Sequence, residues 1–250
     1  MRIARVRVHG RTATAVIRGR TAHLVSGGVF GALTPTGESA PLSQVQLLVP
    51  VQPTKIVAIG INYKSHAGER PAPSEPQPFL KAPSSLIAAG EAIVLPPGST
   101  NIHAEAEVVV VIGKRARRIT EDEADAYLFG YTAGNDVSGR DWQRNDLQWW
   151  RAKSSDTFTA VGPWIETDLD PEHIGVIGRI SGRVQQKSDT SLLIHSIRKC
   201  VAHISQYMTL ERGDLVFTGT PGQTGPILPG DVCEVEVAGA GTLSNPVHAG

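Results

Sequence analysis

Apolar residues along this chain fall in short runs, many of them alternating with polar ones and separated by glycine, proline and turn residues. That period predicts strands far more often than helices. In residues 1–50, Ile3, Val6 and Val8 mix with polar positions, and His9-Gly10 and Arg18-Gly19-Arg20 supply turns. Ala15–Ile17 and Leu24-Val25 read as further short strands, while Gly27-Gly28 and Pro35–Pro41 read as loop. This segment carries no evident chemistry and is expected to be a small β domain, with residues 51–250 as the larger one. There, Lys55–Asn62 reads as a buried strand, Ala104–Ile112 gives the strongest strand signal, and Phe129–Val137 follows as another. Gly175–Gln186 reads as extended, with Gly178 and Gly182 as bulges. Asp214–Thr218, Asp231–Val237 and Gly241–Val247 complete the β pattern.

Helical signals are few. Ser191–Tyr207 is amphipathic, with Leu193, Ile197, Val201 and Ile204 at spacings of three and four. Arg140–Leu147 reads as a short helix, and Thr120 opens another through a capping box with Glu123. With no βαβ alternation, the fold class expected is β-rich α+β.

Composition narrows the picture. The chain has 250 residues, and 24 Lys+Arg balance 24 Asp+Glu to a formal net charge of zero. No broad basic face is available for nucleic acid, so none is expected as a partner. The 26 glycines and 17 prolines exclude a helical bundle or coiled coil. The start, MRIARVRVHGRTATAVIRGR, lacks the apolar core of a signal peptide, and the longest apolar run, Val108–Ile112, is far too short to cross a membrane. Cys200 and Cys233 stand outside any CxxC pair and read as reduced core thiols. A cytoplasmic location without membrane attachment is the expectation.

Three polar clusters interrupt the strand pattern. Glu105 and Glu107 are two apart on one strand, so their side chains share a face with Cα atoms roughly 6.5–7 Å apart. Two carboxylates so placed need a positive charge between them, and a hard divalent ion such as Mg²⁺, Mn²⁺ or Ca²⁺ satisfies both. His103 has the same parity and could add a nitrogen ligand, which would favour Mn²⁺ or Zn²⁺. A half-exposed strand start with alternating polar residues is the competing reading. Asn135–Gln143 follows a strand end, where ligand contacts or an Asx turn would both fit. In Asn62–Glu69, His66 and Glu69 are neighbours if the segment is helical, which suits a carboxylate-oriented base; a solvated surface pair is the alternative. The stretch 68–78, with Pro71, Pro73, Pro76 and Pro78, reads as a loop suited to a lid.

In this order, the stretches GINYKSHAGE (60–69), PFLKAPSSL (78–86), NIHAEAEVVVVIGK (101–114), FGYTAGNDVSGRDWQ (129–143), RAKSSDTFTAVGPWI (151–165), GDLVFTGTPGQTG (213–225) and PGDVCEVEVAGAGTLSNPV (229–247) resemble the fumarylacetoacetate hydrolase family. The resemblance implies a mixed β-sandwich roll with a small N-terminal domain, a homodimer, and Mg²⁺ or Mn²⁺ as cofactor. It implies action on oxo-acids and their enols by C–C hydrolysis, decarboxylation or isomerisation. Carried over residue by residue, Glu105, Glu107 and Asp136 match the metal carboxylates, which makes His103 a neighbour of the metal. Lys153 matches a lysine of the catalytic pocket. Arg140, Gln143, Lys81, Tyr63 and Thr220 match substrate-pocket positions. His66 and Glu69 match the dyad that activates or positions water.

The chain departs from the family pattern at Gly139, where alanine is common, at Gln223-Thr224 after TGTP, and at Ser155, where an aromatic is frequent. The reaction implied first is C–C hydrolysis of a 2-oxo or 2,4-dioxo acid, of acylpyruvase type, through a metal-stabilised enolate. His66, oriented by Glu69, would deprotonate water, and closure of 69–78 would exclude bulk solvent. A 2-hydroxyhepta-2,4-diene-1,7-dioate isomerase and an oxo-acid decarboxylase are the alternatives within the resemblance. A non-catalytic oxo-acid binding protein is the rival from another class.

Overall fold

Dense β-branched runs between glycine turns build much of this chain into strands. The computed structural model describes residues 1–69 and 71–250. The chain opens with β1 (Arg2–Val8), β2 (Arg11–Arg18), β3 (Thr21–Ser26), β4 (Thr34–Pro41) and β5 (Gln46–Leu48). Then come β6 (Ile56–Gly60), α1 (Lys64–Ala67), β7 (Gln77–Lys81), β8 (Leu86–Ile87) and β9 (Ile93–Leu95). The middle holds β10 (Ile102–Ala104), β11 (Ala106–Ile112), β12 (Leu128–Asp136), β13 (Ser138–Gly139), α2 (Arg140–Asn145), α3 (Trp150–Ser154) and β14 (Thr159–Glu166). The last part is β15 (Gly175–Ile180), β16 (Arg183–Asp189), α4 (Ile197–Tyr207), β17 (Leu215–Phe217), β18 (Gly225–Pro226), β19 (Val232–Val237) and β20 (Gly241–Ala249).

The main sheet runs β4-β3-β2-β1-β14-β12-β11-β17-β6-β7, with β5 on β1 and β8 on β14. A second sheet runs β16-β15-β19-β20-β9, and a small one joins β13, β10 and β18. Alternate residues of β11 feed two cores. Val108, Val110 and Ile112 pack with the second sheet and α4, while Val109 and Val111 pack with Ile56, Val161 and Phe217 on the other face. A strand buried on both faces reads as an unbroken apolar run, and this one does. Residues 1–50 add their own apolar cluster around Val6, Ile17 and Leu24. Their strands nevertheless extend the main sheet, because β1 pairs with β14.

Several sequence expectations shift by physical cause. Pro35–Pro41 is a strand rather than a loop: β4 lies at the sheet edge, where a missing proline N–H costs no ladder bond. The expected strand Ala104–Ile112 is split at Glu105, with β10 and β11 in different sheets. The long helix starts at Ile197, where the Ser196 side chain caps Lys199 N–H at 3.0 Å, and Leu193 precedes it. Glu123 accepts the Thr120 N–H at 2.8 Å, but only a short 3₁₀ turn follows. Gly178 sits at a bulge as expected, whereas Gly182, with φ of 78°, makes the hairpin turn between β15 and β16.

Cys200 and Cys233 are free and buried, and burial pushes both thiols up to about 12, which leaves them unreactive. Among the described residues, no helix is long and apolar enough to cross a membrane.

Candidate active site

Antiparallel register places the carboxylates. Ala106 faces Asn135 and Glu107 faces Gly134, so Glu105, one residue before the ladder, meets Asp136 at its end. The Asp136 N–H closes this end onto the Glu105 carbonyl at 3.0 Å. Residues opposite one another or two apart share a face, which brings Glu105, Glu107 and Asp136 together. Each offers an oxygen within 4.8 Å of the others, and all are at most 3% exposed. Gly134 is glycine for a packing reason: a Cβ there would stand 2.4 Å from Val109 Cγ2 and 2.6 Å from Phe217 Cε1.

Three cations surround this nest. Lys153 Nζ donates to Glu105 at 2.7 Å and to Asp136 at 2.6 Å. Arg140 donates to Glu105, to Gln143 Oε1 at 2.8 Å and to Thr224 Oγ1 at 2.6 Å. Lys81 donates to Asp136, to the Lys153 carbonyl and to the Phe158 carbonyl. Three acceptors use the three N–H bonds of an ammonium. Burial alone would push the Glu105 carboxyl up, but Lys153 and Arg140 hold it well below the usual carboxylate range. Burial opposes charge on Lys153 as well, and Asp136 with Glu105 raises it above the usual lysine value.

Glu107 is the exception. It accepts the Gly219 N–H at 2.7 Å and has no ion pair among the described residues. Burial, then Asp136 and Glu105, push its carboxyl well above the usual range. A buried carboxylate beside two others and without its own cation is costly, and a divalent ion between the three removes that cost. The donor set is all oxygen, as Mg²⁺ and Mn²⁺ prefer, so the residues present fit the expected metal.

His103 does not join the nest. Glu105 separates β10 from β11, so strand parity fails across the break. The His103 Nε2–H faces Asn101 Oδ1 at 2.9 Å, and Nδ1 faces Thr224 Oγ1 at 2.8 Å. Thr224 thus donates to His103 while accepting from Arg140. Burial and then Arg140 lower the His103 pKa, in keeping with a neutral ring.

A cavity of about 760 Å³ opens over the nest and is lined by Glu105, Glu107, Asp136, Arg140, Gln143, Lys153, Thr220 and His66. The Thr220 hydroxyl is committed, donating to the Ala106 carbonyl at 2.9 Å and accepting from Gln186 Nε2 at 2.7 Å. Two expected pocket residues lie elsewhere. Lys81 is behind the carboxylates with a fully buried side chain, so it props Asp136 rather than meeting substrate. Tyr63 points into the interior, 1% exposed, outside the cavity lining.

The expected dyad is also not assembled. α1 has four residues and ends before Glu69, at Gly68 with φ of 61°. Glu69 is exposed on the following turn, and the i, i+3 relation needs a longer helix. His66 Nδ1 instead meets the Gly222 carbonyl at 2.7 Å, and the Gly222 N–H donates to Ser65 Oγ at 3.0 Å. A carbonyl partner requires Nδ1–H, and in the neutral ring that tautomer carries its lone pair on Nε2. The stretch expected to form a lid, 69–78, includes Arg70, which lies outside the described residues. The Pro73 carbonyl is held by His195 Nε2 at 3.0 Å, and Gln77 and Pro78 belong to β7.

Sequence reasoning missed Gln186, and it named Asn135 and Thr224 without the contacts that give them a role. Asn135 Oδ1 accepts the Glu105 N–H and Gln186 Oε1 accepts the Ala106 N–H, both at 2.9 Å. Gln186 lies on a strand of another sheet, and no local pattern announces it. Gly139 has a structural reason: a Cβ would stand 2.6 Å from Trp142 Cε3.

Residues 55–248 match the family model described as fumarylacetoacetate (FAA) hydrolase C-terminal, and residues 1–50 match that described as Rv2993c-like, N-terminal. The crystal structure of a 5-carboxymethyl-2-hydroxymuconate delta-isomerase from Mycobacterium smegmatis is 41% identical, with a TM-score of 0.94 over 100% of both chains. An oxaloacetate tautomerase, mitochondrial FAHD2A of Bos taurus, is 37% identical over 83% of this chain and 71% of its own length. A maleylpyruvate hydrolase from Sphingobium sp. SYK-6, in complex with manganese(II) and pyruvate, is 26% identical with a TM-score of 0.85 over 100% of both chains.

Proposed function

The chain belongs to the fumarylacetoacetate hydrolase family, and on that premise we propose that it is a divalent-metal-dependent enzyme interconverting keto and enol forms of a dicarboxylic 2-oxo acid. The observation that carries this reading is the charge balance of the site. Glu105, Glu107 and Asp136 are matched by Lys81, Lys153 and Arg140. A divalent metal added to this balanced set leaves two positive charges, and a dianionic substrate neutralises them. With the carboxylates almost wholly buried, such matching favours retention of a ligand of that charge.

A metal held by Glu105, Glu107 and Asp136 would supply Lewis-acid polarisation of the 2-oxo group. Lys153, beside Glu105 and Asp136, adds a fixed positive charge toward the oxygen that becomes negative on enolisation. Arg140 and Gln143 face the same cavity and supply donors for a substrate carboxylate. His66, oriented through Nδ1–H by Gly222, accepts the C3 proton at Nε2 as the C3–H electron pair becomes the enolate double bond, and then delivers that proton to the 2-oxygen to give the enol; the reverse direction takes it from the oxygen and returns it to C3. The preference for water chemistry rested on an intact His66–Glu69 dyad; with Glu69 outside the cavity, a single-base proton shuttle is the better-supported reaction. The isomerase and tautomerase relatives are in keeping with it.

C–C hydrolysis is the second reading, favoured by the related maleylpyruvate hydrolase with manganese and pyruvate. The discriminating experiment uses Mn²⁺- or Mg²⁺-supplemented protein in D₂O with oxaloacetate, an acylpyruvate whose acyl group carries a second carboxylate, a 2-hydroxy-dienedioate and their monoanionic analogues. Products are read by NMR. Deuterium entry at C3 of the dianions without fragments is the expected result, at rates about tenfold or more above monoanions. Stoichiometric pyruvate and a second acid would establish hydrolysis instead, and equal rates for both charge classes would remove the charge argument.

A further inference from the structure

The two chemical halves of the site, carboxylates and base, lie on separate segments, and one side chain outside the cavity ties them together. Gln186, on β16, is 4% exposed. Its Oε1 accepts the Ala106 N–H at 2.9 Å, between Glu105 and Glu107. Its Nε2 donates to Thr220 Oγ1 at 2.7 Å and to the Pro221 carbonyl at 2.6 Å. Thr220 Oγ1 in turn donates to the Ala106 carbonyl at 2.9 Å, so both polar groups of residue 106 are closed by this pair. The segment beginning at Gly219 then reaches three further functional groups. Gly219 N–H meets Glu107, the Gly222 carbonyl orients His66, and Thr224 meets Arg140.

The fold makes room for this side chain. A Cβ on Gly178, on the adjacent strand, would stand 2.8 Å from Ala106 Cβ and 3.2 Å from Gln186 Oε1. The β15–β16 ladder shifts register between Gly178 and Arg179. Glycine and bulge together let the second sheet approach β11 closely enough for Gln186 to cross.

We infer that Gln186 is a positioning residue that fixes the carboxylate nest relative to His66, its acceptor arm serving the strand and its donor arm the 219–224 segment. This rests on the functional reading above for what the two halves do, though the arms themselves are testable without turnover. Gln186→Met keeps the length and removes both arms. Gln186→Glu keeps the acceptor for Ala106 N–H and removes the donors to Thr220 and Pro221.

The test measures Mn²⁺ affinity by calorimetry, kcat and KM at saturating Mn²⁺, and thermal melting of the metal-free proteins. For Gln186→Met, Mn²⁺ affinity is expected to fall about tenfold and kcat roughly 10–100-fold, with KM within about threefold. For Gln186→Glu, Mn²⁺ affinity is expected near wild type while kcat stays roughly 10–100-fold low. Should Gln186→Met not fold, the Gln186→Glu split between affinity and kcat carries the test alone. Wild-type kcat and affinity in the folded variants would overturn the inference, as would losses in both parameters that simply follow the melting temperature. A wild-type protein without turnover on any oxo-acid would sink the functional reading. The affinity contrast between the two variants would then decide the role of Gln186.

Discussion

The carboxylate half of the site and the base half are built differently. Glu105, Glu107 and Asp136 stand at the meeting end of β11 and β12, in the middle of the main sheet, and are almost wholly buried. His66 stands on a four-residue helix, is half-buried, and depends on backbone contacts with Gly222. The difference follows the chemistry. Charges that stabilise developing charge gain most when they are fixed before the substrate arrives, and adjacent strands fix them. A base must meet a carbon atom whose position depends on the substrate, so it sits at the accessible rim.

Removing charge from the rigid half is the largest test of that contrast. Glu107→Gln keeps an acceptor for the Gly219 N–H and deletes the one carboxylate that lacks a cation of its own. Turnover is expected to fall about 10³–10⁴-fold, the scale of a lost Lewis acid. Calorimetry should show Mn²⁺ affinity reduced more than about 100-fold. The metal-free variant should melt at the wild-type temperature or above it, because a buried, repelled carboxylate has gone. Unaltered Mn²⁺ binding would remove Glu107 from the ligand set.

The base half gives the next effect. His66→Ala is expected to lower kcat about 100-fold, the lower range for loss of a general base, with Mn²⁺ affinity within about twofold. A loss of metal affinity comparable to that of Glu107→Gln would mean that the two halves are not separate. Full turnover on every substrate would take His66 out of the mechanism.

How far each half could be read from sequence follows the same contrast. Strand parity put Glu105 and Glu107 on one face because Glu105 lies immediately before β11, and the Asp136 N–H bond to its carbonyl continues the ladder by one residue. The same parity failed for His103, where the strand breaks at Glu105. Asp136 was reachable only through the family resemblance, since its place depends on cross-strand register that no local pattern encodes. The helical spacing of His66 and Glu69 is present in the letters, but the helix ends too soon to use it. Lys81 and Gln186 act from behind the site, and a buried polar residue on a distant strand has no sequence signature of its partner. At the fold level, β-rich organisation was plain in the alternation, whereas the edge strand β4 was hidden by its prolines.

Gly139→Ala tests the seam between the halves, because Gly139 precedes α2, whose Arg140 touches Glu105 and Thr224. The new Cβ would meet the Trp142 ring, which also carries the Arg151 guanidinium 5.2 Å from its centroid. Displacing that ring is expected to cost about 1–3 kcal/mol of stability. At about 2–4 °C per kcal/mol for a chain of this size, a melting scan resolves it. Activity should fall only severalfold, through Arg140. A melting temperature equal to wild type would show that Trp142 moves freely and that the glycine is not required by packing.

The smallest effect distinguishes the structure most sharply from the family pattern. If Glu69 orients His66, neutralising it should cost about as much as losing a carboxylate–histidine contact, roughly tenfold or more in kcat. In the geometry found here the Gly222 carbonyl already fixes the Nδ1–H tautomer, and Glu69 is exposed beyond the end of α1. An exposed carboxylate in high-dielectric surroundings contributes little to a group it does not touch. Glu69→Gln is therefore expected to change kcat for enolisation of the dianionic substrate by less than about twofold. Running the same variant on an acylpyruvate separates the two reactions. A tenfold loss confined to fragment formation would mean that Glu69 joins His66 only for water attack, and would move the assignment toward hydrolysis.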